Sequence, residues 1–321
     1  MTTVVERTIL AREPRRRGRG SRLERFAPAI LLVPAVLLIV GLRVGPMIVA
    51  LVLSFTNENL SGAANQPLHS VGLANYETVL SSTDFWSAIT TTAQIIGPAL
   101  ALEMVLGVAI ALWLNQSKWF TKPFRSVSLL PYLLVPVVIG NFFRMFYSSE
   151  FGQLNYYLGF LGIGSHAWIT DPATVRWAVV VLEVWHTTPF VALLCLAGLV
   201  GLPKEPVEAA MVDGAGALAR FRYIVLPELW PILGAVLVLR AMDAIQLFDE
   251  VYVLTAGGPG RMTSVINLYL YQFGFSQFLI GQTSAAVTMI VIFLSALGFI
   301  GLVITRQRRF WRMGASDAPA D

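Results

Sequence analysis

Residues 201–228 read GLPKEPVEAAMVDGAGALARFRYIVLPE, and this stretch is more polar than the apolar runs on either side of it. Pro203 and Pro206 stand where a helix can begin, since the first turn of a helix tolerates proline. Gly214 and Gly216 then break or bend that helix before a second one starts. The stretch therefore predicts a short helix, a turn and a second helix, all lying on one face of a membrane.

Apolar runs occupy most of the rest of the chain. Hydrophobic residues make up 56% of the 321 residues and charged residues only 13%, with a mean hydropathy of +0.67. A soluble domain carries about a quarter charged residues, so lipid must be the solvent for much of this chain. A bilayer core of about 30 Å needs roughly 20 apolar residues per helix. Six runs meet that length and predict an all-α, polytopic membrane protein: 26–55, 88–114, 127–146, 177–202, 229–254 (opened by Pro227) and 284–304.

Lysine and arginine are distributed unevenly over the segments that connect these runs. Most basic residues lie in four segments. Those before the first run are Arg7, Arg12, Arg15, Arg16, Arg17, Arg19, Arg22 and Arg25, and those after the last run are Arg306, Arg308, Arg309 and Arg312. The loop between the second and third runs holds Lys118, Lys122 and Arg125, and the loop between the fourth and fifth holds Lys204, Arg220 and Arg222. The alternate loops hold Arg261, with Arg176 at the edge of a run. Because basic segments stay in the cytoplasm, both termini and both basic loops are expected there.

These patterns divide the chain into a basic cytoplasmic tail (1–25), a six-helix membrane domain (26–305) with a cytoplasmic loop (201–227), and a cytoplasmic C-terminal tail (306–321). The expected location is the inner (plasma) membrane. A cleaved signal peptide is the alternative for the arginine-rich start, but the apolar run is too long and lacks an evident cleavage site. Arginines beside a membrane normally serve orientation and anionic lipid, so we expect lipid contact and no nucleic-acid partner.

The chain offers little material for catalysis or metal binding. Cys195 is the single cysteine, which excludes an intramolecular disulfide and a thiolate metal site. His69, His166 and His186 lie in separate segments at no ligand-like spacing, so no metal site is expected. No G-x-x-x-x-G-K-[ST] sequence occurs, so the chain lacks the usual loop for nucleotide phosphates. We therefore expect a protein that is not itself an enzyme.

The loop also resembles the EAA loop of the permease subunits of ABC importers. The pattern E-A-A-x3-G-x9-I-x-L-P is matched at every defined position, in a loop on the cytoplasmic side. The resemblance implies that this loop is a coupling helix that docks into a cleft on the ATPase subunit. The residues it assigns to that role are Glu208, Ala209, Ala210, Asp213, Gly214, Ile224, Leu226 and Pro227. An ordinary helical connector with a chance Ala-Ala-Gly is the plain alternative.

Three further stretches resemble the carbohydrate-type branch of the same family. They are GLANY at 72–76, WHTTPF at 185–190, and FDEVYVLT with GGPG at 248–260. The resemblance implies the type I ABC importer permease fold and a sugar, or a related solute such as glycerol-3-phosphate, as cargo. It also implies three partners: a second homologous permease, an extracytoplasmic solute-binding protein, and an ATPase dimer that binds ATP and Mg²⁺. The chain itself is expected to bind no cofactor.

Several ionisable groups lie inside the predicted spans, where such groups are costly and mark functional candidates. They are Arg43, Glu103, Arg144, Glu183, Arg240 and Asp243. Arg240 and Asp243 are three residues apart on one helix, which favours an ion pair inside the bundle, and Glu103 and Arg43 are expected to be packing or interfacial partners. A sugar site needs hydrogen-bonding groups beside an aromatic face. The candidates that meet this criterion are Asn141, Arg144, Tyr147, Trp185, His186, Thr188, Asp243, Gln246 and Asp249.

Two other classes of protein fit part of this pattern. A secondary transporter driven by an ion gradient would account for six spans and buried charges, but not for the matched cytoplasmic loop. A membrane scaffold or assembly factor would leave the patterns in the fourth and fifth spans without a role. An importer permease accounts for all of these features.

Overall fold

The computed structural model describes residues 32–59, 68–116, 127 and 129–314, with side chains described as far as residue 296 and at 298. The described chain is helical and contains no strand, apart from an isolated β-bridge between Thr56 and Ser70. The all-α expectation is confirmed. The tail 1–25, the three basic residues of the second-to-third loop and the last residues of the C-terminal tail lie outside the described residues.

Four helices are long and apolar enough to cross a membrane. These are α1 (Leu32–Leu53), α3 (Thr83–Gln116), α6 (Val175–Val200) and α8 (Ala217–Ala244). Two shorter apolar helices accompany them, α4 (Pro136–Phe146) and the apolar part (Ile280–Ala296) of α11 (Ile280–Gly314). The remaining helices are α2 (Ala74–Ser81), α5 (Gln153–Gly159), α7 (Glu205–Val212), α9 (Asp249–Thr255) and α10 (Ile266–Tyr271).

The third predicted span is not one continuous helix. A single helical turn, Leu130–Leu133, is followed by extended backbone at Leu134 (ψ 145°) and Val135 (ψ 133°) before α4 begins at Pro136. Proline disfavours the helical conformation in the residue before it, which explains the break. The prediction of a single helix over 127–146 was therefore wrong, although apolar helix is present in that range.

The fifth predicted span has different boundaries from those expected. α8 begins at Ala217, passes through a π-helical turn at Phe221–Val225, and ends at Ala244, while α9 is a separate helix. Pro227 lies in the first turn of the α-helical part of α8 (Leu226–Ala244), as expected, and the π-helical turn connects this part to the preceding turn of α8. Hydropathy stays high across the break at 245–248, so the apolar pattern alone extended the predicted span too far.

Small residues bring the central helices close together. A Cβ on Gly107 of α3 would lie 2.6 Å from a methyl group of Val191 on α6, and one on Gly198 of α6 would lie 2.8 Å from Ile232 on α8. Helices in lipid gain little from hydrophobic exclusion, so close packing at small residues holds them together. Buried apolar side chains of α3, α6 and α8 form one hydrophobic cluster, which includes Leu114.

The GLANY stretch fastens the end of α1 to the rest of the bundle. The buried Asn75 side chain donates hydrogen bonds to the backbone oxygens of Ser54 and Thr56, both at 2.8 Å. The Tyr76 hydroxyl lies 2.7 Å from the Ser54 hydroxyl. Because α1 is otherwise exposed, these bonds position its end relative to the core.

Candidate transport path and coupling loop

A buried arginine links three spans at the centre of the bundle. Arg240 on α8 donates from Nε to Glu103 Oε2 on α3 at 2.7 Å and from Nη2 to Glu103 Oε1 at 3.2 Å. Nη2 also contacts Glu183 of α6 and lies 3.3 Å from the Thr187 hydroxyl. Nη1 donates to Asp243 Oδ2 at 2.9 Å. Arg240 is 1% exposed and Glu103 is fully buried, so these charges are compensated by one another.

The expected pair of Arg240 with Asp243 is confirmed, and so is the placement of Glu103 inside the bundle as a packing partner. Sequence reasoning missed that Glu103 and Glu183 both turn toward the same guanidinium. The available signal was an acidic residue in each of two otherwise apolar runs. A charge at this depth is retained only where it is paired, so a partner for each acid was to be expected.

A second polar group lies beside this network. His186 of α6 and Glu250 of α9 are both about nine-tenths buried, with His186 Nδ1 3.4 Å from Glu250 Oε1. The ring of Tyr132 is 5.9 Å from the imidazole and stacks on Phe190 at 4.5 Å. The WHTTPF stretch thus combines aromatic faces with hydrogen-bonding groups around the proline that interrupts the backbone pairing of α6.

An aromatic surface continues along the outer face of α4 and α6. The rings of Phe142 and Trp185 stack at 6.2 Å, and Trp185 is 41% exposed. An exposed aromatic face next to polar groups suits the apolar side of a sugar ring.

The predicted path residues separate into exposed and buried groups. The exposed candidates are Asn141, Arg144, Trp185, Asp243, Gln246 and Asp249, and the buried ones are Tyr147, His186 and Thr188. Tyr147 is 3% exposed and its hydroxyl donates to the Ala178 carbonyl at 3.1 Å, so in this conformation it belongs to the core and does not line a path. The assignment of the exposed candidates to a solute path stays a prediction.

We expect cysteines introduced at Arg144 and Asp249 to react with a membrane-impermeant thiol reagent and to be protected by transported solute. Both positions are exposed, Arg144 in the last turn of α4 and Asp249 in the first turn of α9, on the side where the distribution of basic residues predicts that solute arrives. Tyr147→Cys is the matched control and should remain unlabelled, because that position is buried. The native Cys195 is fully buried and gives a low background. Absence of labelling at both positions in every transport state would remove them from the path.

The loop 201–227 forms a short helix that ends in a sharp turn. In α7, Glu208 and Ala209 are exposed, and Val212 is 88% exposed. Gly214 has φ +80°, a conformation that favours glycine. Its N–H donates to the Met211 carbonyl at 3.1 Å, and the next N–H, of Ala215, donates to the Ala210 carbonyl at 2.8 Å. This pair of bonds is the Schellman arrangement that closes a helix with a left-handed residue.

The other half of the loop is attached to the bundle. Arg220 Nη1 donates to the Ala215 carbonyl at 2.6 Å, which fixes the turn relative to α8. Leu226 packs against the hydrophobic cluster that includes Leu114, and Ile224 is half-buried. Asp213 is exposed at the end of α7, and Pro227 is exposed in α8. The positions that match the loop pattern therefore fall into two groups: those on α7 form an exposed surface, and those on α8 attach the loop to the membrane domain.

The chain is similar in sequence to known transport proteins. Residues 103–309 match the family described as binding-protein-dependent transport system inner membrane component. The chain is 38% identical over 227 residues to a probable ABC transporter permease of Sinorhizobium fredii, covering 71% of this chain and 73% of that protein. It is 35% identical to the trehalose/maltose transport system permease of Thermococcus litoralis (74% and 81% covered) and 34% identical to the trehalose transport system permease of Mycobacterium tuberculosis (94% of each).

Among solved structures, the fold resembles a chain of a bacterial ABC transporter that imports the acidic polysaccharide alginate. The TM-score is 0.77, with 89% of this chain and 97% of that chain covered at 22% identity. The expected permease fold is thereby confirmed.

Proposed function

Because this chain belongs to the family of binding-protein-dependent transport system inner membrane components, we propose that it forms half of the translocation path of an ATP-driven importer for a di- or oligosaccharide. A homologous permease supplies the other half, an extracytoplasmic binding protein delivers the solute, and a separate ATPase dimer binds ATP and Mg²⁺. The observation that carries this proposal is the exposed α7 helix, fastened to α8 and ended by a left-handed glycine.

The exposed apolar surface of α7 favours contact with a partner protein over contact with water. Met211 is 49% exposed, Val212 88% and Leu218 of α8 78%, which is costly unless a partner covers them. Glu208 adds one acidic group to this apolar surface and favours a cationic partner side chain. A rigid helix held by hydrogen bonds at its end transmits a displacement of the ATPase to α8, and from there to Arg240.

The helix α1 supports the presence of a second permease. None of its central residues is buried within this chain, and Leu42 is 73% exposed. α1 packs within the chain against α11 and is held at its end by Asn75. A span this exposed is covered by lipid on one side and by a neighbouring subunit on the other.

The solute class is supported by the relatives and by the residues around α6. Two of the relatives described above carry trehalose or maltose in their names, and the aromatic rings of Phe142 and Trp185 offer a stacking face. A strain that lacks this gene should lose uptake of one or more labelled disaccharides from a panel of trehalose, maltose and sucrose, and regain it with the wild-type gene. Unchanged uptake of every α-linked disaccharide, with loss of an unrelated solute, would overturn the proposed class.

We propose that both termini face the cytoplasm. The support is the basic residues placed before the first span and after the last, together with the basic loops. Reporter fusions at Asp321 and within residues 151–167 should report opposite sides of the membrane, with the 151–167 segment outside. A fusion at Ala215 in the α7 turn is the control and should report the same side as Asp321. The same side for all three fusions would refute the topology.

A further inference from the structure

Three buried side chains of two helices bring potential metal ligands together. Glu183 and His186 are three residues apart on α6 and therefore share a face, and Glu250 approaches them from α9. One ligand atom from each of the three lies within 4.8 Å of the others. All three residues are more than nine-tenths buried. Spacing along the chain predicts no metal site, because Glu250 lies 64 residues after His186 in the sequence.

The ligand atoms of this group lack other hydrogen-bond partners. Among the described residues, Glu183 Oε2 and both imidazole nitrogens of His186 are buried and accept or donate no hydrogen bond. Glu183 Oε1 is occupied by Arg240, so Oε2 is the atom left for another partner. Leaving a buried polar atom without a hydrogen-bond partner is unfavourable, so a ligand that satisfies several of these atoms at once is favoured.

The surrounding charge also favours a cation. Three carboxylates, from Glu103, Glu183 and Asp243, pair with the guanidinium of Arg240, and a fourth, from Glu250, lies beside His186; of the four only Asp243 is substantially exposed. The near neighbours on the remaining side are the ring of Tyr132 and the hydroxyl of Thr187, which carry no charge. Buried charges are normally paired or coordinate a metal ion, and a carboxylate that does neither takes up a proton, so the acids not balanced by Arg240 need a cation or a proton.

We propose that Glu183, His186 and Glu250 form a site for a divalent transition cation of the Zn²⁺ class. Imidazole together with carboxylate selects such ions over Mg²⁺ and Ca²⁺, which prefer oxygen ligands alone. The 3.4 Å between His186 Nδ1 and Glu250 Oε1 matches the separation of two ligands that each lie about 2.1 Å from a tetrahedral ion. A Glu-x-x-His pair facing a Glu of a second helix is a ligand set used by helical bundles for transition metals. A bound ion ties α9 to α6.

The test is Zn²⁺ binding by the full-length chain, purified in detergent with the subunits that accompany it and stripped of metal with a chelator. Titration against a fluorescent zinc indicator should reveal one Zn²⁺ per permease chain. His186→Gln and Glu250→Gln should each weaken that binding by at least about tenfold, because each removes one ligand. Zn²⁺ should raise the apparent melting temperature of the wild type and not of these variants, and Mg²⁺ should not compete.

His166→Gln is the matched control, because His166 is a half-exposed histidine beside Asp171 (Nε2 to Oδ2, 2.9 Å) and lies outside the cluster. It should bind Zn²⁺ as the wild type does. Equal binding by the wild type and both cluster variants, or no binding by the wild type, would overturn the metal site. Neither measurement requires transport, so the outcome is independent of the proposed import function.

Discussion

Replacing Arg240 with methionine is expected to destabilise the membrane domain by about 3–5 kcal/mol, because it leaves Glu103 and Glu183 buried without a cation. A loss of this size is a large share of the usual stability of about 5–15 kcal/mol. The variant should therefore be recovered in much lower yield, and its apparent melting temperature in detergent should fall sharply. Fluorescence-detected size-exclusion chromatography after heating measures both quantities.

Arg261→Ala is the control for the loss of an arginine. Arg261 pairs with Asp84, but both side chains are about half exposed, so removal of that pair should cost no more than about 1 kcal/mol. Replacing Glu103 and Glu183 with leucine in the Arg240→Met background should restore stability, since a buried ion cluster replaced by apolar groups is often neutral or stabilising. If Arg240→Met were as stable as Arg261→Ala, the network would not hold the three spans together.

Gly214→Val is expected to uncouple the permease from its ATPase while leaving membrane insertion intact. Valine at φ +80° strains the backbone, so the turn after α7 must change its conformation. The space around a Cβ at Gly214 is open, so a steric clash contributes nothing to the effect. A loss of roughly 2–3 kcal/mol, typical of an interface hot spot, lowers ATPase association on the order of 30–150-fold. Co-purification of the ATPase and solute-stimulated ATP hydrolysis measure this.

Two variants make that result specific. Gly216 has φ −65° with open space for a Cβ, so Gly216→Ala should keep both the ATPase and its stimulation. Gly214→Asn should retain more of both than Gly214→Val, because asparagine tolerates the left-handed conformation. If Gly214→Val kept the ATPase and full transport, the loop would be only a connector between two spans.

The loop 201–227 could be predicted closely from the sequence because its structure is set locally. Proline in the first turn, glycine after the last turn and the intervening small residues each determine the backbone within a few residues. The observed α7 helix and the positive φ of Gly214 agree with those local rules. What the loop contacts outside this chain is not a local property, so its docking role stays a proposal.

The spans were predicted less accurately, because hydropathy reports burial in lipid and not the continuity of a helix. The break at Leu134 lies in apolar sequence and is marked by a proline, while the break between Ala244 and Asp249 lies where polar residues interrupt the apolar run and has no proline. The two breaks do not change the fold class. They do place Glu250 in the first turn of α9, where its side chain approaches His186 of α6.

The network of acids around Arg240 could not be predicted from the sequence. Separate acids at Glu103 and Glu183 are visible as unusual residues in apolar runs, but their distance from Arg240 along the chain is 137 and 57 residues. Only the packing of α3, α6 and α8 brings them together. The same holds for the approach of Glu250 to His186.

The central claim is that transport through this chain is powered by ATP hydrolysis on a separate subunit. The direct measurement is uptake of labelled disaccharide by proteoliposomes that contain the purified transporter, with binding protein outside and ATP inside. We predict accumulation that requires ATP hydrolysis, requires the binding protein, and is lost with Gly214→Val. Accumulation driven by a proton or sodium gradient in the absence of ATP would contradict the account and identify a secondary transporter.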